Sequence, residues 1–267
     1  MKKYFSFFRL RFTMGLQYRV AALAGIATQF AWGFMEVMIF CAFYRGDKNA
    51  FPMSLSAACS YVWLGQAFLA FFASWMLDND ILDSIKNGDI AYEMCRPIDI
   101  YNIWFSRNTA TRLSRAVLRC LPILFVAALL PAPYGMAKPE SFLLFLLFLL
   151  TLFLGLMVTV AFSMLIYVLT FFTVSPMGLR LLFSSAVDFF AGAVIPLPFF
   201  PKPMQHVMEL LPFGAMQNVP LRIYSGSMPS RDIKEAVCLQ IFWLILLIAS
   251  GKLLCRYAEK KITVQGG

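Results

Sequence analysis

At 267 residues, with 60% hydrophobic and 14% charged side chains, the chain falls well below the roughly 25% charged content of soluble domains, which excludes an ordinary soluble fold. There is room for one bundle of about six membrane spans with short connections, and little for a separate soluble domain. The formal net charge of +9 follows the bias that orients membrane proteins, so nucleic acid is not needed to explain it.

Residues 1–18 alternate aromatics with cations at helical spacing. Lys2, Ser6, Arg9 and Thr13 share one face, and Phe5, Phe8, Phe12 and Leu16 a neighbouring one. Such a helix lies flat in the headgroups, aromatics down and cations toward acidic lipid. Lys2, Lys3, Arg9 and Arg11 interrupt any apolar core there, so no cleavable signal is expected. The first expected span, Val20–Phe43, holds a single charge, Glu36, and the second, Leu55–Leu77, holds none.

The connection 78–99 is the most informative loop. Asp78, Asp80 and Asp83 open a short helical pattern, where carboxylates favour the positive end of the helix dipole. Ile81, Leu82 and Ile85 make one apolar edge, Asn87-Gly88 is a stop signal, and Arg96-Pro97 returns the chain to extended structure. A compact helix offering its apolar edge to a cytoplasmic partner is expected.

The third span lies within Tyr101–Leu130. Arg112, Arg115 and Arg119 share a face of its first part, which Asn108 extends. Arginine deep in a bilayer costs several kcal/mol unless it snorkels or pairs. These residues either sit at the cytoplasmic lipid boundary, the reading preferred from sequence, or line a polar cleft. Phe142–Phe172, the fourth span, carries no charge in 31 positions, more than the roughly 20 residues a crossing needs. Leu179–Ile195, the fifth, is apolar except for Arg180 and Asp188, and Ala236–Leu254, the sixth, carries only Lys252. Glu36 and Asp188 are functional candidates as intramembrane carboxylates, or acids that lock helices together.

Between the last two spans, residues 196–230 carry prolines at 196, 198, 201, 203, 212, 220 and 229. The pieces Met204–Leu211 and Phe213–Val219 are too short to cross and too apolar to be left wet. A re-entrant pair of short helices capping the outer leaflet is expected.

Of the 23 Lys and Arg residues, only Arg45, Lys48, Lys138, Lys202, Arg222, Arg231 and Lys234 fall in the connections opposite the termini. Both termini are therefore expected in the cytoplasm. The six cysteines form no C-x-x-C pair and read as small apolar residues. No nucleotide-binding G-x-x-x-x-G-K-[ST], H-E-x-x-H or G-x-S-x-G is present, and His206 with Glu209 is a lone pair. No catalytic residue and no metal ligand is expected.

This all-α order, an interfacial helix, six transmembrane helices and broken outer helices before the last, resembles the permease subunits of ABC-2 type ATP-binding-cassette exporters. The stretch ILDSIKNGDIAYEMCRPID (Ile81–Asp99) is similar to that family's loop after the second span. The stretch Ala191–Gly226 resembles its Pro-rich segment before the last span. The resemblance implies one transmembrane domain over 1–267 in a cell membrane, with a bacterial origin expected. It implies a second permease, identical or paralogous, and two separate ABC ATPase subunits holding ATP and magnesium, with no cofactor in this chain. Asp80, Ile81, Leu82, Asp83, Ile85 and Lys86 would form the coupling helix, and Pro196, Pro198, Pro201 and Phe213 an outer gate. Phe30, Phe34, Glu36, Trp63, Phe68, Asp188, Phe189 and Phe190 are candidates for a substrate path. An exporter of amphipathic or hydrophobic cargo (a drug, a peptide antibiotic or a lipid) is the expected function. The alternatives are a proton-coupled secondary transporter, a membrane-embedded lipid-modifying enzyme and an assembly scaffold.

Overall fold

A computed structural model describes residues 2–173 and 176–261. Met1, at the start of the expected interfacial helix, and 262–267, at the end of the expected domain, lie outside the described residues. These form twelve α-helices and one 3-10 turn. Three of the helices are long and apolar enough to cross a membrane: α2 (Arg19–Gly46), α8 (Phe142–Thr170) and α12, whose apolar stretch lies within Ser230–Lys261.

Helix α8 is the axis of the bundle. From Val158 to Val168 its apolar side chains are almost all removed from contact with solvent or lipid, which is why the sequence is apolar on every face there. Its first turns, with Phe142 and Leu143 exposed, face outward. One core layer joins α8 to α7 (Ile100–Leu129), α12 and the short α5 (Asn79–Asn87). A second joins it to α3 (Leu55–Ala67), α4 (Leu69–Phe72) and α11 (Asn218–Tyr224). A third cluster packs α2 on α3 and α7.

The remaining expected spans depart from single straight crossings. The second breaks at Phe68 into α3 and α4, and the chain leaves helical geometry at Ala73 rather than at Leu77. The fifth, α9 (Pro176–Phe190), has 15 residues, about 22 Å of rise against a hydrocarbon core of about 30 Å. It ends before Gly192, whose φ of +78° favours glycine. Helix α7 is long but carries the arginine face and Pro122.

The outer segment is broken as expected, with one shift. After the 3-10 turn Leu197–Phe199 comes α10 (Lys202–Leu210), followed by a turn over 212–217 and then α11. The expected helix Phe213–Val219 starts instead at Asn218, which puts Pro220 in the first turn, where its missing N–H costs nothing. Every residue of α11 is buried. Its approach is open because Gly155 of α8 presents no side chain to the Met216 carbonyl. Gln240 of α12 donates through Nε2 to the carbonyls of Ala215 (2.8 Å) and Thr151 (3.1 Å). Backbone freed by the break is thus satisfied by protein.

The bundle has two distinct ends. At one, Lys3 Nζ donates to the Pro97 carbonyl at 2.8 Å and Arg180 to Asn79 and the Trp75 carbonyl, while Lys252 lies over the Tyr101 ring. At the other, the α7–α8 connection is tied down by Trp63 donating to the Tyr134 carbonyl (2.8 Å) and by Tyr224 donating to the Ala137 carbonyl (3.1 Å).

Candidate functional site

Helix α5 is the element that stands out at the basic end. Asp78 caps it, its side chain accepting from the Asp80 N–H at 3.1 Å, and Gly88 (φ +82°) ends it. The apolar edge turns inward: Ile81 and Leu82 are buried against α7, α8 and α12. This corrects the expectation that they meet a partner, because the apolar side chains of α7, α8 and α12 already cover them within the chain's own core. Ile85 is half-buried, while Asp80, Asp83 and Lys86 face outward.

Two side chains fix this helix to the bundle, and a third holds the break before it. The Arg107 guanidinium of α7 donates to Asp78 through Nε (2.5 Å) and Nη2 (2.8 Å), and to Asp80 at 2.5 Å. The Tyr167 hydroxyl of α8 accepts from the Asp78 N–H at 2.7 Å. Arg112 is 1% exposed. It donates to the carbonyls of Ala73 (2.8 Å) and Ala70 (3.2 Å), to Asn108 Oδ1 (2.7 Å) and to Ser163 Oγ (3.1 Å). The carbonyls left open where the second span stops being helical are therefore satisfied by a guanidinium from α7. The preferred sequence reading of Arg112 as a boundary arginine is corrected, since it is buried. Arg115 is exposed and Arg119 intermediate, and all three line one cavity of about 490 Å³.

The substrate-path candidates do not converge on one cavity. Phe30 and Phe34 of α2 flank Trp63 of α3, with ring centroids 6.3 and 5.0 Å away, and Gly33 makes room for the indole. Glu36, one turn on, accepts from Gln66 at 3.3 Å and opens on a small cleft shared with Pro196 and Gln217. Phe68 instead packs on Phe71 and Phe148 inside the bundle. Phe189 and Phe190 belong to another aromatic group, with Phe200 and Phe213. Asp188 lies beside them, half-buried on α9. The gate candidates are spread likewise: Pro196 is buried, Pro198 and Phe213 intermediate, and Pro201 exposed at the start of α10.

His206 is exposed, and Glu209 is engaged elsewhere, by Arg222 and by Gln205 at 2.8 Å. An acid/base pair is therefore not assembled. His206→Ala is expected to leave transport unchanged in a vesicle assay.

The element the sequence reading missed is Arg112 as a backbone cap. Its i, i+4 placement after Asn108 was visible, but the carbonyls it serves lie about 40 residues earlier in the chain. A family model described as ABC-2 family transporter protein matches residues 30–266, most of the chain. No curated protein matches it.

Proposed function

The chain belongs to the ABC-2 family of transporter proteins, membrane components that work with ABC ATPases, and on that basis we propose that it is an exporter permease whose coupling helix is α5. In this reading the chain crosses a cell membrane six times, counting α3–α4, α7 and α9 among the crossings. Both termini and α5 face the cytoplasm. A second permease, identical or paralogous, completes the pathway. Cargo is amphipathic or hydrophobic and moves outward, past α2, α3 and the outer segment. ATP and magnesium reside on the partner ATPase.

One observation carries the assignment of α5. It presents Asp80, Asp83 and Lys86 outward while its inner face is held by Arg107, Tyr167 and the Ile81–Leu82 packing. Force applied to the outer face is delivered to α7 and α8 without loss in a flexible linker. ATP-driven closure of a docked ATPase then shifts the bundle between two packings. The concentration of Lys and Arg at the α5 end supports the cytoplasmic placement.

The test is co-purification from native membrane with assay of ATP hydrolysis. An ATPase is expected to accompany the parent chain. Asp83→Lys combined with Lys86→Glu, both on the exposed face, is expected to lose it with the unfolding temperature unchanged. A chain that purifies as an ATPase-free oligomer overturns the reading.

A further inference from the structure

A cavity of about 490 Å³ lies between α1 (Lys2–Gly15), the start of α2, the α4–α5 break and α7. Arg11, Arg107, Arg112, Arg115 and Arg119 line it, against two carboxylates, Asp78 and Asp80. Both carboxylates are taken by Arg107. Arg112 is occupied by backbone carbonyls, Asn108 and Ser163. Arg11, Arg115 and Arg119 have no carboxylate partner among the described residues.

Arg119 adds a second observation. Its guanidinium lies against Gly25 of α2, where a methyl group would come within 2.5 Å of Cζ. Its Nε is buried with no acceptor. A desolvated guanidinium edge without an acceptor is unfavourable unless a ligand supplies one. Arg115 and Arg119 are four residues apart on a helix, so their stems are about 6 Å apart. Two guanidinium forks at that spacing can take different oxygens of one tetrahedral anion, a bidentate geometry that favours arginine over lysine.

The remaining lining says what the anion is attached to. Met14, Ala21, Ala22 and Leu118 give the cavity apolar wall beside the cations. Its rim is α1, with Phe5 and Leu10 exposed, the helix that the sequence places among headgroups. We propose that this vestibule binds the phosphate group of an anionic amphiphile entering from the cytoplasmic leaflet. Arg115 and Arg119 grip the phosphate oxygens, and the apolar wall covers the first carbons of the tail.

The experiment needs no ATPase, so its outcome is independent of the role given to α5. The intact chain is placed in nanodiscs of phosphatidylcholine with a minor fraction of phosphatidylglycerol, and the lipid it retains is measured by native mass spectrometry. Phosphatidylglycerol is expected to be retained over phosphatidylcholine. The preference should fall by about tenfold or more in Arg115→Gln/Arg119→Gln, from loss of charge-assisted bonds worth roughly 1.5–3 kcal/mol. Arg115→Lys/Arg119→Lys should keep part of the preference, and its unfolding temperature controls for folding. Millimolar inorganic phosphate separates two sources of the same chemistry: persistence of the lipid supports a headgroup, and displacement supports a soluble phosphate ester. Equal retention by parent and glutamine variant, or no preference over phosphatidylcholine, overturns the proposal.

Discussion

Arg112→Met is expected to abolish transport and to lower the unfolding temperature by about 8 °C or more. Two effects compete. Removing a buried guanidinium relieves its desolvation, and apolar replacement of a buried charge can be neutral when its partners leave with it. Here they do not leave. The Ala70 carbonyl and Asn108 Oδ1 stay where the second span ends, buried and without donors, and the Ala73 carbonyl keeps only a long 3.4 Å bond from the Met76 N–H. Each orphaned group costs about 1–3 kcal/mol. The losses outweigh the relief: two such groups cost about 4 kcal/mol at the middle of that range, equivalent to about 8 °C or more at this chain length. Arg112→Lys retains a charge but not the planar fork, and should fall between parent and methionine variant. Thermal unfolding in detergent and cargo uptake into inverted vesicles are the measurements. A methionine variant that melts with the parent would show that the α4–α5 break does not depend on this side chain.

Gly155→Val is expected to prevent the outer segment from docking and to reduce folded protein to a small fraction of the parent yield. A Cβ at this position would lie 2.1 Å from the Met216 carbonyl oxygen and 3.2 Å from its carbon, which are backbone atoms. No side chain can rotate away, so α8 and the turn before α11 must separate, opening a buried interface. Overpacking typically costs about 1–3 kcal/mol and more when backbone must shift. Gly155→Ala acts in the same direction with smaller loss. Gly178 provides the control: a Cβ there meets nothing within 4 Å, so Gly178→Ala should leave yield unchanged. Monodisperse yield by size-exclusion chromatography reads all three. Normal yield for Gly155→Val would mean that the α8–α11 crossing is not closely packed.

Both predictions concern contacts between residues distant in the chain, and the same distinction marks what was legible beforehand. Helix α5 could be read locally, since Asp78, the inward edge and Asn87-Gly88 supply cap, periodicity and stop within ten or so positions. The broken outer segment was equally local, because proline removes a donor wherever it stands. The direction of the α5 apolar edge was not. Ile81 and Leu82 would look the same in sequence facing a partner or facing the bundle, and only the packing of α7, α8 and α12 places them inward.

By itself the sequence determined the solvent, the all-α class, the basic end and the places where helices break, for these depend on composition, charge and backbone chemistry carried residue by residue. The tertiary structure alone decided which arginines are spent and which are left. Arg107, Arg112, Arg115 and Arg119 repeat along α7, yet one meets two aspartates, one meets open carbonyls, and Arg115 and Arg119 meet no carboxylate. That division arises because a charge buried in a bundle takes its character from whatever backbone and side chains the fold brings within hydrogen-bond reach, and spacing along one helix says nothing of those.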